Sequence, residues 1–364
     1  MPTPRPLSLI AELTHRCPLR CPYCSNPVDL RRDELDTATW LRVIDEAAAL
    51  GVVQLAFTGG EPLARHDLDD LVRAAAEREL YTNLITSAFA LDAGRLARLR
   101  SAGLEHVQVS FQDADPARAD LIAGRRAHER KLAAARAVKD AGLPLTVNVV
   151  LHRHNLDHIE EILGLVADLE PDRVEMANVQ YEGWAVANHA ALMPTAEQLK
   201  NAEAAVRRFR ERIGPGMRVL WVASDLYEDV PQPCMGGWGR QTIVCAPDGA
   251  ALPCLSASGL PGMEFPNVRD HSLEWIWERS EAFNRFRGTD WMREPCRSCP
   301  LGRQEEDYGG CRCQAARLTG DPYATDPVCE FSPHHQRAVD LRTVPPEEEQ
   351  PAYVYRTLRS TTPS

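Results

Sequence analysis

The 364-residue sequence has no apolar run long enough to cross a membrane. It also has no excess of basic residues: 41 Lys and Arg stand against 52 Asp and Glu, a net charge of −11. Such a chain is a poor partner for nucleic acid or an anionic membrane. Residues Met1 to Pro6 lack the apolar stretch of a signal peptide, so the expectation is a soluble cytoplasmic protein. No internal repeat is visible. Cysteine is missing from positions 25 to 233, which leaves eleven in two groups, three at 17 to 24 and eight at 234 to 329. An odd total is awkward for disulfides, and a reducing compartment disfavours them. Metal or iron–sulfur ligation is the better reading of both groups.

Hydrophobic residues make up 44% of the chain, enough for a sizeable core, and the length allows two domains. From residue 7 short apolar runs alternate with amphipathic stretches. The predicted strands cover 7–13, 53–57, 82–86, 106–112, 145–151 and 173–180. A helix follows each. The first is capped by Asp36 or Thr37 and ended by Gly51; the others lie at about 67–78, 93–102, 129–141, 159–166 and 196–212. Six such units predict an α/β fold with a parallel sheet covered by helices. They are too few for the eight-unit barrel, so an open, partial (β/α)6 TIM-type barrel is expected, its open side admitting a large substrate such as a peptide.

After the breaker Gly214-Pro215-Gly216, residues 217–222 read as a further strand. Beyond Pro231 the chain is rich in Cys, Gly and Pro. We expect a boundary near Asp229, with domains at 1–229 and 230–343 and a polar, mostly disordered tail at 344–364. In the second domain Pro247-Asp248-Gly249 marks a hairpin turn, and one helix spans 272–287.

The first cysteines, Cys17, Cys21 and Cys24, are spaced C-x3-C-x2-C directly after the first strand. Three thiolates cannot close a four-coordinate zinc site without a distant fourth ligand. On a four-iron cluster they leave one iron open to a substrate. A structural zinc knuckle is the plainer alternative. The spacing resembles the signature of the radical S-adenosylmethionine (SAM) superfamily, in which the open iron chelates the amino acid end of SAM. The resemblance implies that Tyr23 lies near the adenine. It also implies that Gly59-Gly60-Glu61-Pro62, after the second strand, holds the SAM amino group. Ser110, Gln112, Asn148 and Arg153, with His152 beside the last, resemble by position the groups that bind the SAM ribose and carboxylate. Each has the alternative of an ordinary polar residue at a barrel mouth.

The second group comprises Cys234, Cys254, Cys296, Cys299, Cys311, Cys313 and Cys329, with Cys245 inside a hairpin strand as a buried core residue. A C-x2-C pair with distant thiols suits zinc or iron–sulfur. The layout resembles the SPASM domain, which carries two auxiliary iron–sulfur clusters, [2Fe-2S] or [4Fe-4S]. By that resemblance Cys234, Cys254, Cys311 and Cys313 hold one cluster, and Cys296, Cys299, Asp307 and Cys329 hold the other. An aspartate at this place, followed by Gly-Gly-Cys-x-Cys, is characteristic of the PqqE family, the radical SAM enzymes of pyrroloquinoline quinone (PQQ) biosynthesis. The Cys299 to Asp307 interval is longer than the family pattern, which leaves Glu305 as a second candidate for the oxygen ligand. The stretches 234–239, 109–113 and 178–181 point to the same family, and the resemblance covers about residues 7 to 335.

The resemblance implies an enzyme that joins a glutamate side-chain carbon to a tyrosine ring in a ribosomally made precursor peptide. It implies three partners: that peptide, a small PqqD-like peptide-binding chaperone protein and an external reductant. Two other readings stand beside it. One is another SPASM maturase, thioether-forming or sulfatase-activating; the other is a non-catalytic iron–sulfur or zinc protein.

Overall fold

The computed structural model describes residues 3–30, 33–343 and 352–357. Strand β1 (Ser8–Thr14) leads through the cysteine loop to α1 (Thr37–Leu50), then β2 (Gln54–Gly59), α2 (Leu68–Glu77), β3 (Tyr81–Thr86) and α3 (Ala93–Ser101). Next come β4 (His106–Phe111), α4 (Pro116–Ala123), α5 (His128–Asp140), β5 (Leu145–Leu151), α6 (Arg153–Leu156) and α7 (Ile159–Leu169). Strand β6 (Arg173–Asn178), the short helices α8 (Trp184–Ala187) and α9 (His189–Leu192), the long α10 (Ala196–Ile213) and β7 (Arg218–Val222) complete this part. The cysteine-rich part holds β8 (Thr242–Cys245), β9 (Ala251–Leu252), α11 (Leu273–Arg279), α12 (Glu281–Asn284), α13 (Gln304–Asp307), α14 (Arg312–Thr319) and α15 (His335–Leu341).

The strands form one sheet in the order β7-β6-β5-β4-β3-β2-β1-β8-β9, with an end at β7 and another at β9. Every pairing from β7 to β8 is parallel; only β8 with β9 is antiparallel. This is the expected open parallel barrel. Alternation sets its two faces. On β5, Val147, Val149 and Leu151 are buried in the main core under the helices, while Asn148 and Val150 are only half-buried on the opposite face. Each buried side chain of this size contributes about 1.5–3 kcal/mol. Helix α1 forms where expected because Asp36 accepts from the Thr39 amide (2.8 Å) and Gly51 ends it at φ 93°.

Beyond the unexpected short helices α6, α8 and α9, and α13, α14 and α15 in the cysteine-rich part where one helix was expected, the structure adds to and departs from the sequence reading in four places. Helix α4 was not expected, although Asp115 caps it and Pro116 opens it. The helix read at 272–287 breaks at Ser280, whose hydroxyl donates to the Ile276 carbonyl (2.5 Å) and accepts from the Phe283 amide (3.4 Å), ending α11 and starting α12. The hairpin beyond the expected boundary is no separate sheet: β8 pairs with β1, Ser8 opposite Thr242 and Ala11 opposite Cys245. Cys245 is thereby fully buried. Finally, within the stretch read as a disordered tail, residues 352–357 pack on the barrel, and Arg356 is 2% exposed. Two segments of that stretch, 344–351 and 358–364, lie outside the described residues. Among the described residues no helix is long and apolar enough to cross a membrane.

Because β8 covers one edge of β1, a fragment ending at residue 229 should lose protection at the β1 amides that face β8. Hydrogen exchange read by mass spectrometry checks this. Equal protection in fragment and full chain would contradict the shared sheet.

Candidate active site

A cavity of about 270 Å³ opens at the C-terminal ends of the parallel strands. Its wall is built strand by strand: Thr58 and Gly59 from β2, Ile85 and Thr86 from β3, Ser110 from β4, Val150 from β5, and Ala177 and Asn178 from β6. Cys17, Cys21, Tyr23 and Cys24 close it from the loop after β1. So one short loop delivers three thiols to one cavity, at the end of a parallel sheet where ligands bind.

The loop is held from below. Gly60 donates its amide to the Thr14 carbonyl (2.5 Å), and Glu61 donates its amide to the Arg16 carbonyl (2.8 Å). A Cβ at Gly59 would lie 2.3 Å from the Thr14 carbonyl oxygen, and one at Gly60 would lie 2.4 Å from that of Arg16. The two glycines therefore serve first to let β2 press against the root of the cysteine loop. Glu61 is 1% exposed and does not line the cavity. Its carboxylate accepts from the Thr86 hydroxyl (2.6 Å), the Ser87 amide (2.9 Å) and hydroxyl, and the Leu63 amide (3.1 Å). In this geometry it is a clamp between β2 and β3, with its acceptor capacity used inside the protein.

Gln112 donates to the Tyr23 hydroxyl (2.8 Å) and accepts from Lys131 (2.5 Å), whose ammonium also donates to the Ser110 carbonyl (3.0 Å). Lys131 is fully buried, and burial pulls its pKa down to about 8. It is a site-supporting residue that the sequence reading missed; its place on α5 beneath the mouth gave no local signal. His152 is buried beside Tyr23, ring centroids 5.8 Å apart, and burial pulls its pKa down to about 3. It caps α6 and does not line the cavity. Asn148 sits one pleat below Val150 and donates to Glu175 (3.3 Å). Neither Asn148 nor Arg153 lines the cavity; the arginine that does is Arg356.

Burial pushes the Cys17 thiol up to about 12 and raises Cys21 and Cys24 as well. Such thiols ionise only against a strongly positive partner, and three soft donors on one side of a roomy cavity fit an iron–sulfur cluster with a fourth iron facing the cavity. All eleven cysteines are free of disulfides.

The second part brings two further donor sets together. Cys234 and Cys313 hydrogen-bond to Cys254 and Cys311, which pulls the two acceptors down and pushes the two donors up. Each donor meets both acceptors, so the four thiols close a ring, and among the described residues no group of three or more His, Cys, Asp or Glu side chains already has the arrangement of a single-ion site. Cys296, Cys299, Asp307 and Cys329 line one small pocket with Thr325 and Asp326. Asp307 is buried at the end of α13 and accepts from the Gly309 amide (2.8 Å); burial raises its pKa. Glu305 is exposed and outside this pocket. The donor set around Asp307 therefore fits a cluster with one oxygen ligand.

Between the sets lies Asp326, fully buried and unforeseen from the sequence. It accepts from the Cys311 amide (2.7 Å), the Gln314 side chain (3.0 Å) and the Val328 amide (3.0 Å), and burial pushes its pKa up to about 6. A Cβ at Gly310 would meet its Oδ2 at 2.5 Å, so that glycine makes room for it.

Two outcomes follow. Gly60→Ala should destabilise the protein by roughly 2 kcal/mol or more, because the backbone it meets cannot move away cheaply; thermal unfolding checks it. Asp307→Ala should lower the iron bound by the protein while Glu305→Ala leaves it unchanged, as read by metal analysis after anaerobic reconstitution. Equal loss in both variants would contradict the placement of Asp307.

Comparison with known proteins agrees with this geometry. The radical SAM superfamily model matches residues 11–166, and an iron–sulfur cluster-binding (SPASM) domain model matches 234–300. The PqqA peptide cyclase of Granulibacter bethesdensis is 51% identical over 359 residues, 97% of this chain and 94% of that protein. The PqqA peptide cyclase of Gluconobacter oxydans is 52% identical over 340 residues, 93% of this chain and 94% of that protein. Among solved structures, Streptococcus suis SuiB bound to S-adenosylmethionine matches with a TM-score of 0.74 at 20% identity, over 89% of this chain and 77% of that one. SuiB has also been solved with its precursor peptide SuiA. With half of its residues shared along nearly its whole length, this chain is a radical SAM enzyme with a SPASM domain and belongs to the PqqA peptide cyclase family.

Proposed function

We propose that the protein forms a carbon–carbon bond between a glutamate side chain and a tyrosine ring of a precursor peptide in PQQ biosynthesis. The observation that carries this reading is the meeting of three loop thiols on one cavity at the mouth of an open parallel barrel, in a chain half identical to PqqA peptide cyclases. When bound, SAM and a reduced iron–sulfur cluster would supply the radical chemistry that removes a hydrogen atom from the peptide. Cys17, Cys21 and Cys24 would hold that cluster at the cavity wall. The backbone at Gly59 and Gly60, Ser110, and Tyr23 fixed by Gln112 form the walls against which the cofactor rests.

The crosslink removes one hydrogen from each carbon. The first would leave as a hydrogen atom, and the second as a proton and an electron. The two donor sets, Cys234, Cys254, Cys311 and Cys313 with Cys296, Cys299, Asp307 and Cys329, give that electron an acceptor inside the same chain. A carboxylate at Asp307 is a harder ligand than a thiolate, so it sets the potential of its cluster apart from an all-cysteine one. In this reading the domains divide near residue 229, the protein works in the cytoplasm with an external reductant, and a separate small PqqD-like protein presents the peptide.

Mass spectrometry of the precursor peptide after incubation with SAM, reductant and the presenting protein tests the proposal. The product should be lighter by two hydrogens, with the link mapped to glutamate and tyrosine, and omission of the presenting protein should slow it. A thioether product, or no product despite SAM cleavage, would contradict the reading.

A further inference from the structure

Residues 352–357 run across the outside of the cysteine loop as a strap. The Arg356 amide donates to the Arg20 carbonyl (3.2 Å), and the Arg20 side chain donates back to the Arg356 carbonyl (3.3 Å). Asn188, 1% exposed, holds both edges of the same region: its Nδ2 donates to the carbonyls of Pro22 (3.1 Å) and Val354 (2.9 Å), and its Oδ1 accepts from the Val354 amide (2.7 Å). The Tyr355 hydroxyl donates to the Leu121 carbonyl (2.8 Å). This strap is pinned at each residue from 354 to 356, and it carries Arg356 inward to the wall of the three-cysteine cavity.

Arg356 is buried and cationic. One guanidinium nitrogen donates to the His15 carbonyl, while its Nε has no hydrogen-bond partner among the described residues. A buried charge with donors unused is costly unless an anion meets it. The anionic groups to be expected in this cavity are the thiolate-held cluster and the carboxylate of SAM.

We propose that Arg356 is a cofactor-pocket residue: the strap delivers its guanidinium to the negative charge at the three-cysteine site, in the role the sequence reading assigned to Arg153. The proposal rests on Cys17, Cys21 and Cys24 holding the cluster. Its partner is either the SAM carboxylate, met by a forked pair of N–H donors, or the cluster, whose charge the cation offsets.

Arg356→Met and Arg356→Lys, reconstituted as holoenzyme, separate these. SAM affinity is read by equilibrium dialysis, and the potential of the three-cysteine cluster by a redox titration followed by electron paramagnetic resonance, taking the signal that responds to added SAM. With the carboxylate as partner, R356M binds SAM roughly tenfold or more weakly and R356K falls between, at unchanged potential. With the cluster as partner, the potential falls in R356M without SAM present and falls by less in R356K. Natively folded variants with wild-type SAM affinity and potential would overturn the proposal. So would loss of the fold in R356M together with full SAM affinity and unchanged potential in R356K, which would make the residue a structural anchor; a changed affinity or potential in a folded R356K would support the proposal. A wild-type protein with no SAM-responsive signal would overturn the cysteine assignment, and this proposal with it.

Discussion

The position of the cysteine loop depends on one wedge, the turn Gly59-Gly60-Glu61. Two glycines without side chains let the end of β2 lie against the carbonyls of Thr14 and Arg16. The buried Glu61 carboxylate then locks that end to Thr86 and Ser87 at the end of β3. A carboxylate this deep is tolerated because several hydrogen bonds satisfy it. The wedge turns the ends of three neighbouring strands into a rigid floor, and the thiols inherit its precision.

The same sheet carries the link to the rest of the chain. Strand β8 extends it past β1, on the strand that leads into the cysteine loop. Elsewhere Arg317 on α14 pairs with Glu182 and with the Tyr181 carbonyl just after β6, so barrel and cysteine-rich part meet again near the second donor set. Within that part Asp326 bonds to the backbone of one set and lines the pocket of the other. Three donor sets are thus fixed in one framework.

The alternation of apolar runs with amphipathic stretches showed every β/α unit of the barrel, because each strand and helix buries its own face. Caps such as Asp36 and Gly51 were legible for the same local reason. Pairing between distant segments was not: nothing in residues 242–245 announces β1 as a neighbour, and the Pro-Asp-Gly turn suggested only a local hairpin. The donor cysteines were legible as spacings, yet the buried groups that support them, Lys131 and Asp326, look like any charged residue in sequence. Arg356 was hidden most completely, since a polar stretch near the end of a chain reads as disorder until its hydrogen bonds to Asn188 and Arg20 are seen. Glu305 and Asp307 could be separated only by burial.

The proposed function places SAM cleavage at the loop of Cys17, Cys21 and Cys24, apart from the C-terminal clusters. The direct measurement is 5′-deoxyadenosine formation by the triple variant Cys17→Ala, Cys21→Ala, Cys24→Ala, with iron counted in the same sample. No 5′-deoxyadenosine is expected, with the iron of the C-terminal sites retained. Undiminished SAM cleavage by the triple variant would contradict that placement.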